Sequence, residues 1–425
     1  MSAQTVRETT LANGLRIVTA PMQGVETATV AVHVGVGSRH EREDQHGLSH
    51  FIEHMAFKGT ARRNALAIAE AIESAGGDLN AATATEHTVY HARVLAQDVG
   101  LALDILGDIL THSVFDAQEM EREKSVILQE IAAVGDDPDD LVFEMFDAAA
   151  FAGQPIGRSI LGAPKRVKGF DETAIRAYLA AHYGANNLIV SAAGAVEHAA
   201  IVEQASSLFE NLPQNAPVSV APARYTGGEA RKKRGEQTNF VIGFEGFDHT
   251  HEASYAAHVF ASAVGGGMAS RLFQDVREKR GLAYSIYSFN WSFADTGLFG
   301  VSAATAPRDA GEAIRVTLDA LAAATQDLSE AEMARAKAQM KVSLLAAFES
   351  SPARAEQIAR QTAVFGRVLT RKEIVDKIDA LTLERTRAAG AALLKSAPTL
   401  AAVGPTTKVP DVSDIAARIG AAGDR

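Results

Sequence analysis

Gly47-Leu48-Ser49-His50-Phe51-Ile52-Glu53-His54-Met55-Ala56-Phe57-Lys58-Gly59-Thr60 is the stretch on which the reading of this chain turns. Leu48 to Phe57 follows a helical pattern. At about 100° per residue, His50, Glu53 and His54 (positions i, i+3 and i+4) fall within one narrow stripe. Two imidazoles one turn apart can meet a single metal ion, with the Glu53 carboxylate beside an open coordination position. A catalytic zinc ion takes three protein ligands and a water, and a neighbouring carboxylate can carry the proton from that water to a leaving amine. H-x-x-E-H is the inverted form of the zincin motif. The bland alternative is an amphipathic helix that carries two histidines.

The motif lacks a third ligand. A long helical pattern over 116–134 offers Glu123 and Glu130, two turns apart on one face. Glu130 lies in the apolar run Val126-Ile127-Leu128-Gln129-Glu130-Ile131, where a buried carboxylate is costly unless a cation compensates it. A solvated helix face is the other reading of both glutamates. The chain has no cysteine, so thiolate sites and disulfides are excluded, and any zinc must be held by His, Asp or Glu.

Outward from this stretch, Asn13-Gly14 marks a tight hairpin and Ala28–Val36 a strand with valines at period two. A helix over 65–74 ends at Gly76-Gly77. Strands follow over 78–84 and 88–95, then helices over 97–111 and 116–134. A helix over 172–182, a strand over 187–193 and a helix over 199–211 close the first half. Prolines, Gly227-Gly228 and Arg231-Lys232-Lys233-Arg234 mark 213–237 as an exposed linker. The order then restarts, with strands at 240–244, 282–289 and 298–304 around a helix at 255–264. Glu119-Met120-Glu121-Arg122-Glu123-Lys124 parallels Glu332-Met333-Ala334-Arg335-Ala336-Lys337, which sets Glu123 against Ala336 and Glu130 against Ser343. Two related halves are expected, 1–212 with the metal site and 238–425 without it.

With 425 residues, 47% of them hydrophobic, the chain can build a large core in more than one unit. The net charge of -11 argues against nucleic acid, which needs a basic footprint. No apolar run is long enough to span a membrane. Met1–Glu8 has neither a basic nor an apolar leader segment, so a soluble cytoplasmic protein without a signal peptide is expected.

The run from Gly47 to Thr60 resembles the signature of the M16 (pitrilysin-like) metallopeptidases, most closely subfamily M16B, the mitochondrial processing peptidase type. The resemblance extends from about Thr10 to Gly404. It implies an α+β fold of two related α/β halves, antiparallel-rich sheets with flanking helices of LuxS and processing-peptidase kind, closing as a clamshell dimer. The family's zinc-binding glutamate, about 76 residues after the second histidine, falls on Glu130, and its supporting glutamate on Glu123. The resemblance thus implies one zinc ion per chain on His50, His54 and Glu130, with Glu53 as general base. Asn80-Ala81-Ala82-Thr83 is similar to the family's substrate-pairing edge strand, so Asn80, Ala81 and Thr83 are implied to bind peptide. Arg277 and Tyr284 match the family's Arg-x6-Tyr pair, which holds substrate and polarises the scissile carbonyl. Gly265-Gly266-Gly267 is similar to a flexible glycine-rich loop. Asp140 and Glu144 match positions at which processing peptidases recognise an upstream arginine, although the cluster from Asp136 to Asp140 also reads as a solvated helix start. The implied activity is cleavage of extended or presequence-like peptides in a closed chamber by a homodimer. The alternative is a catalytically silent, chaperone-like assembly subunit of the same fold.

Overall fold

A computed structural model of the chain describes residues 6–216 and 218–423. Residues 1–5, part of the N-terminal segment read for a signal, and Pro217 of the linker lie outside the described residues. The hairpin forms as expected: β1 (Arg7–Thr10) pairs antiparallel with β2 (Arg16–Pro21). Gly14 turns the chain at φ +88°, where a side chain would be strained. Then come β3 (Thr27–Val34), α1 (Leu48–Ala56), α2 (Ala65–Ser74), β4 (Asp78–Thr83) and β5 (Thr88–Leu95). Helices α3 (Val99–Thr111), α4 (Ala117–Asp136), α5 (Pro138–Ala150), the single turn α6 (Pro164–Val167) and α7 (Glu172–His182) lead to β6 (Leu188–Gly194) and α8 (His198–Phe209).

The second half begins with β7 (Gly228–Lys232), β8 (Thr238–Gly246) and α9 (Ser254–Gly265). It continues through β9 (Ser285–Ser292), β10 (Gly297–Thr305), α10 (Ala310–Asp327), α11 (Glu330–Ala347) and α12 (Ser351–Phe365). It ends with α13 (Arg371–Asp379), α14 (Leu383–Leu393), β11 (Thr399–Val403) and α15 (Val412–Gly423). The segment read as a linker is therefore not irregular throughout. Its basic run starts inside β7, and Arg231 is tied to Glu229 and Asp411. The strand forms because β11, far along the chain, pairs with it in parallel, and no local pattern announces such a partner. Among the described residues, no helix is long and apolar enough to cross a membrane.

The chain condenses into two compact units. The first comprises residues up to Ile131, Ser159–Ala221 and Leu345–Leu369. Its six strands lie in the order β1-β2-β6-β3-β5-β4, with β2 and β6 parallel and the other neighbours antiparallel. Val30, Val32 and Val34 enter the main core with Leu48, Phe51 and Met55, as the period-two pattern of β3 requires. The other face of β3 is just as buried, at Thr29, Ala31 and His33, because α12 packs over β3 and β6. Ala355, Ile358 and Ala359 of that helix close on Val18, Ala20, Ile189 and Ala193.

The second unit comprises Ala132–Arg158, Pro222–Leu344 and the chain from Thr370 onward. Its sheet runs β7-β11-β8-β10-β9, with a parallel first pair and antiparallel pairs thereafter. This repeats the succession β2-β6-β3-β5-β4. Helix α5 covers β11, β7 and β8 here as α12 covers the sheet of the first unit, and Phe146 fills the space that a Cβ on Gly243 would need. In the register of the two matching helices, Glu123 on α4 and Ala336 on α11 are both buried. The same helix position faces inward in both units, once with a carboxylate and once with a methyl group.

Candidate metal centre

Helix α1 is anchored by Leu48, Phe51, Ile52 and Met55, a stripe at i, i+3, i+4 and i+7, with no residue more than 2% exposed. Each contributes about 1.5–3 kcal/mol of burial, so the helix is held firmly in place. His50, Glu53 and His54 occupy the adjoining stripe. The N-terminus is unusual. Gly47 stands there at φ +97°, and a Cβ would lie 2.6 Å from Gly162 Cα, so only glycine fits. With no capping side chain of its own, the first turn is satisfied from outside. The buried Glu41 accepts the Gly47 N–H at 2.8 Å and the Ser49 N–H at 2.6 Å. A carboxylate there also complements the helix dipole.

Helix α4 brings Glu130 to the two histidines. Nε2 of His50 and Nε2 of His54 are 3.2 Å apart, and Glu130 Oε2 lies 3.8 Å and 3.7 Å from them. Ligands on a tetrahedral zinc ion with bonds of about 2.0–2.1 Å stand roughly 3.3 Å from one another, so the triangle matches one shared cation after a small contraction. Glu130 Oε2 is shielded from solvent and has no hydrogen-bond partner. A carboxylate oxygen left in that condition is unfavourable unless a cation meets it. Burial, reinforced by His54, pulls the His50 imidazole down to about 4, which keeps it neutral and able to ligate at neutral pH.

The orientation of His54 is fixed from behind. Its Nδ1 lies 2.9 Å from Glu123 Oε2, and Lys58 Nζ lies 2.7 Å from Glu123 Oε1. Burial raises the Glu123 carboxyl, but Lys58 and then His54 outweigh it and hold the group below its ordinary value. As a carboxylate it can accept a hydrogen bond from Nδ1–H, which selects the tautomer whose Nε2 lone pair faces His50 and Glu130. The residues present fit a zinc ion. The run around Glu130, apolar in sequence, is only partly buried. Val126 is 38% exposed and the Glu130 side chain 40%, because α4 is amphipathic and of these residues only Ile127 is fully inside.

Glu53 projects from the same helix, and its Oε2 is also shielded without a hydrogen-bond partner. Its charge reaches two buried tyrosines, Tyr90 and Tyr183, whose hydroxyls are 3.1 Å apart. Burial first, and Glu53 in addition, push both phenols up. Helix α1 packs beside β4, the last strand of its sheet, whose outer edge pairs with no strand among the described residues. On β4, Asn80 is exposed, Ala81 faces the core and Thr83 is half-buried; Asn80 Oδ1 accepts the Ala81 N–H at 2.8 Å.

In the second unit, Arg277 lies in a π-helical turn (Phe273–Glu278) with its guanidinium 4.7 Å from the Phe273 ring centre and 5.9 Å from that of Tyr284. The two residues paired in the sequence are thus adjacent, and Tyr284 is 80% exposed. Asp140 and Glu144 stand one turn apart on α5, Asp140 exposed. Asp137 caps that helix by accepting the Asp139 N–H, so the acidic cluster does begin as a helix start. Of the glycine triplet, Gly265 ends α9, and Gly266 and Gly267 follow it as bends. A Cβ on Gly265 would lie 2.6 Å from Ser288 N and one on Gly266 2.7 Å from Ser262 O, so these glycines permit close packing.

Two family models account for most of the chain: Insulinase (Peptidase family M16) matches residues 16–164, and Peptidase M16 inactive domain matches 169–340. The chain belongs to peptidase family M16. Among curated relatives, an "Uncharacterized zinc protease" of Rickettsia felis is 39% identical, the match covering 93% of this chain and 96% of that one. One of Bacillus subtilis is 34% identical, covering 95% and 100%. A protease from Helicobacter pylori shares the fold with a TM-score of 0.88 at 20% identity, over 95% of this chain and 100% of that one. A chain of complex III2 from Candida albicans shares it with a TM-score of 0.86 at 23% identity, over 98% and 100%.

The first M16 model spans His50, Glu53, His54, Glu123 and Glu130; the second, of inactive type, spans Ala336 in place of a buried glutamate. Two residues that support this candidate site went unread in the sequence. Lys58 stands one turn after His54 within the quoted run, a spacing that signalled it. Glu41 gave no such signal, since a cap supplied from several residues upstream follows no fixed pattern.

Proposed function

We propose that the chain is a zinc-dependent endopeptidase that cleaves extended oligopeptides or presequence-like segments. The observation that carries this reading is the convergence of His50, His54 and Glu130, from two helices far apart in sequence, within 4.8 Å of one another. These three residues would hold one zinc ion per chain, with Glu123 behind His54. A bound zinc ion supplies Lewis acidity, lowering the pKa of water into the neutral range and polarising a carbonyl.

Glu53 is the base. Its carboxylate takes one proton from the water that attacks the peptide carbon and returns it to the departing nitrogen. The C–N bond breaks, one product gains the hydroxyl as a carboxylic acid and the other gains hydrogen as an amine. An extended substrate adds to the open edge of β4 through its backbone, at Asn80, Ala81 and Thr83, which tolerates many sequences. Arg277 holds the substrate, and the Tyr284 hydroxyl donates to the carbonyl oxygen as charge develops there. Asp140 and Glu144 recognise an arginine upstream of the cut. Two copies form a homodimer enclosing a chamber, and each site takes Arg277 and Tyr284 from the other copy. Residues 1–212 and 238–425 act as the metal-bearing and substrate-holding halves.

The test is hydrolysis of a quenched fluorogenic peptide alongside zinc stoichiometry. Wild type should bind one zinc ion and cleave; Glu53→Gln should keep the zinc and lose at least about 100-fold in rate. A wild-type protein that binds zinc and cleaves nothing would favour the silent assembly subunit.

A further inference from the structure

Lys58 lies just beyond the end of α1, four residues past His54, with Nζ 2.7 Å from Glu123 Oε1 while Glu123 Oε2 meets His54 Nδ1 at 2.9 Å. We propose that Lys58 is a positioning residue for the metal ligand His54, acting through Glu123. This rests on the reading of His50, His54 and Glu130 as zinc ligands.

The first argument is charge. The Glu123 side chain is only 7% exposed, and an imidazole that ligates a metal through Nε2 gives it one N–H but no charge of its own. An uncompensated carboxylate at that depth is unfavourable by several kcal/mol. Arg62 and Arg63, which line the same cavity as Lys58, are both engaged by Asp104 and Asp108. The second is geometry. A carboxylate bound at one oxygen can swing about its last bond, whereas one bound at both oxygens from different directions has its plane fixed. Lys58 thereby aims Oε2 at Nδ1, and the imidazole at the metal position.

The third argument comes from the repeat. The matching helix position in the second unit carries Ala336, 1% exposed, so this scaffold does not require a carboxylate there. The buried Glu123 and its lysine occur in the unit that has the imidazoles. Lys58 itself keeps contact with water, being 30% exposed on the wall of a cavity of about 490 Å³ shared with Leu66 and Val114. Truncating it therefore leaves the core of α1 untouched.

The experiment measures zinc affinity of the full-length, metal-stripped protein by competition with a chromophoric chelator. The set is wild type, Lys58→Met, Lys58→Arg, Glu123→Gln and the Lys58→Met/Glu123→Gln double variant. K58M should bind about tenfold more weakly, the low end for losing a partner that orients a ligand. K58R should recover most of the loss by restoring the charge, and K58M should add nothing once Glu123 is Gln. Equal affinity of K58M and wild type overturns the proposal. So does an equal loss from K58M with and without Glu123, the mark of a lysine that merely supports the fold. Should K58M fail to fold, K58Q carries the same comparison. A wild-type protein that binds no zinc overturns the metal-site reading and this proposal with it.

Discussion

His33 makes the first unit sensitive to acid in a way that can be worked out beforehand. It lies on the face of β3 beneath α12, 4% exposed, stacked on His87 with ring centres 4.8 Å apart. Burial, then His87, then Arg360 of α12 lower its pKa from 6.5 to about 3. The folded state therefore holds His33 neutral at pH values where the unfolded chain protonates it. The associated stability is complete above 6.5 and is lost as pH falls from 6.5 toward 3. Between pH 6.5 and 5 the loss is about 2 kcal/mol, at roughly 1.4 kcal/mol per pH unit. His40, held at about 4 mainly by burial, and His87, also lowered, contribute in the same direction, so the comparison must be between slopes. His33→Leu removes one titrating group, and any constant cost of the substitution cancels in the difference. Urea unfolding followed by far-ultraviolet circular dichroism at pH 7 and pH 5 should show the variant losing about 2 kcal/mol less than wild type. An identical loss in both proteins would refute the reasoning.

Further outcomes are expected. Gly47→Ala forces a side chain into a left-handed φ and against Gly162, and should lower stability by about 2 kcal/mol or more in denaturant unfolding. Glu41→Gln can accept through one oxygen only, leaving a first-turn N–H of α1 unpaired; a cost of about 1–3 kcal/mol should appear in the same measurement, together with weaker zinc retention. Mixing Glu53→Gln chains with Tyr284→Phe chains should restore activity above either parent, because some hybrid sites are intact; no gain would remove the shared-site proposal. Cleavage-site profiling should show arginine enriched upstream of the cut in wild type and lost in Asp140→Asn/Glu144→Gln, and a flat wild-type profile would dispose of the clamp.

The local elements were legible in the sequence because their causes are local. The helix of His50 and His54, the Asn13-Gly14 turn, the strand of β3 and the repeat linking Glu123 to Ala336 all follow from spacing within one turn, one pleat or one short match. The repeat also carried further than its motif, since both sheets run in the same strand order. The roles of the polar residues needed contacts over long separations. Only the folded chain sets Glu130 Oε2 near two imidazoles some eighty positions earlier, covers the second face of β3 with α12, and gives β7 its partner β11. Glu41 acts through two side-chain contacts that no periodicity encodes, and the spacing of Lys58 after His54 marks a shared face without revealing its contact with Glu123. Spacing along a chain fixes which residues share a face, whereas the meeting of two faces depends on how distant elements pack, and burial and charge compensation decide that only when the whole chain is in place.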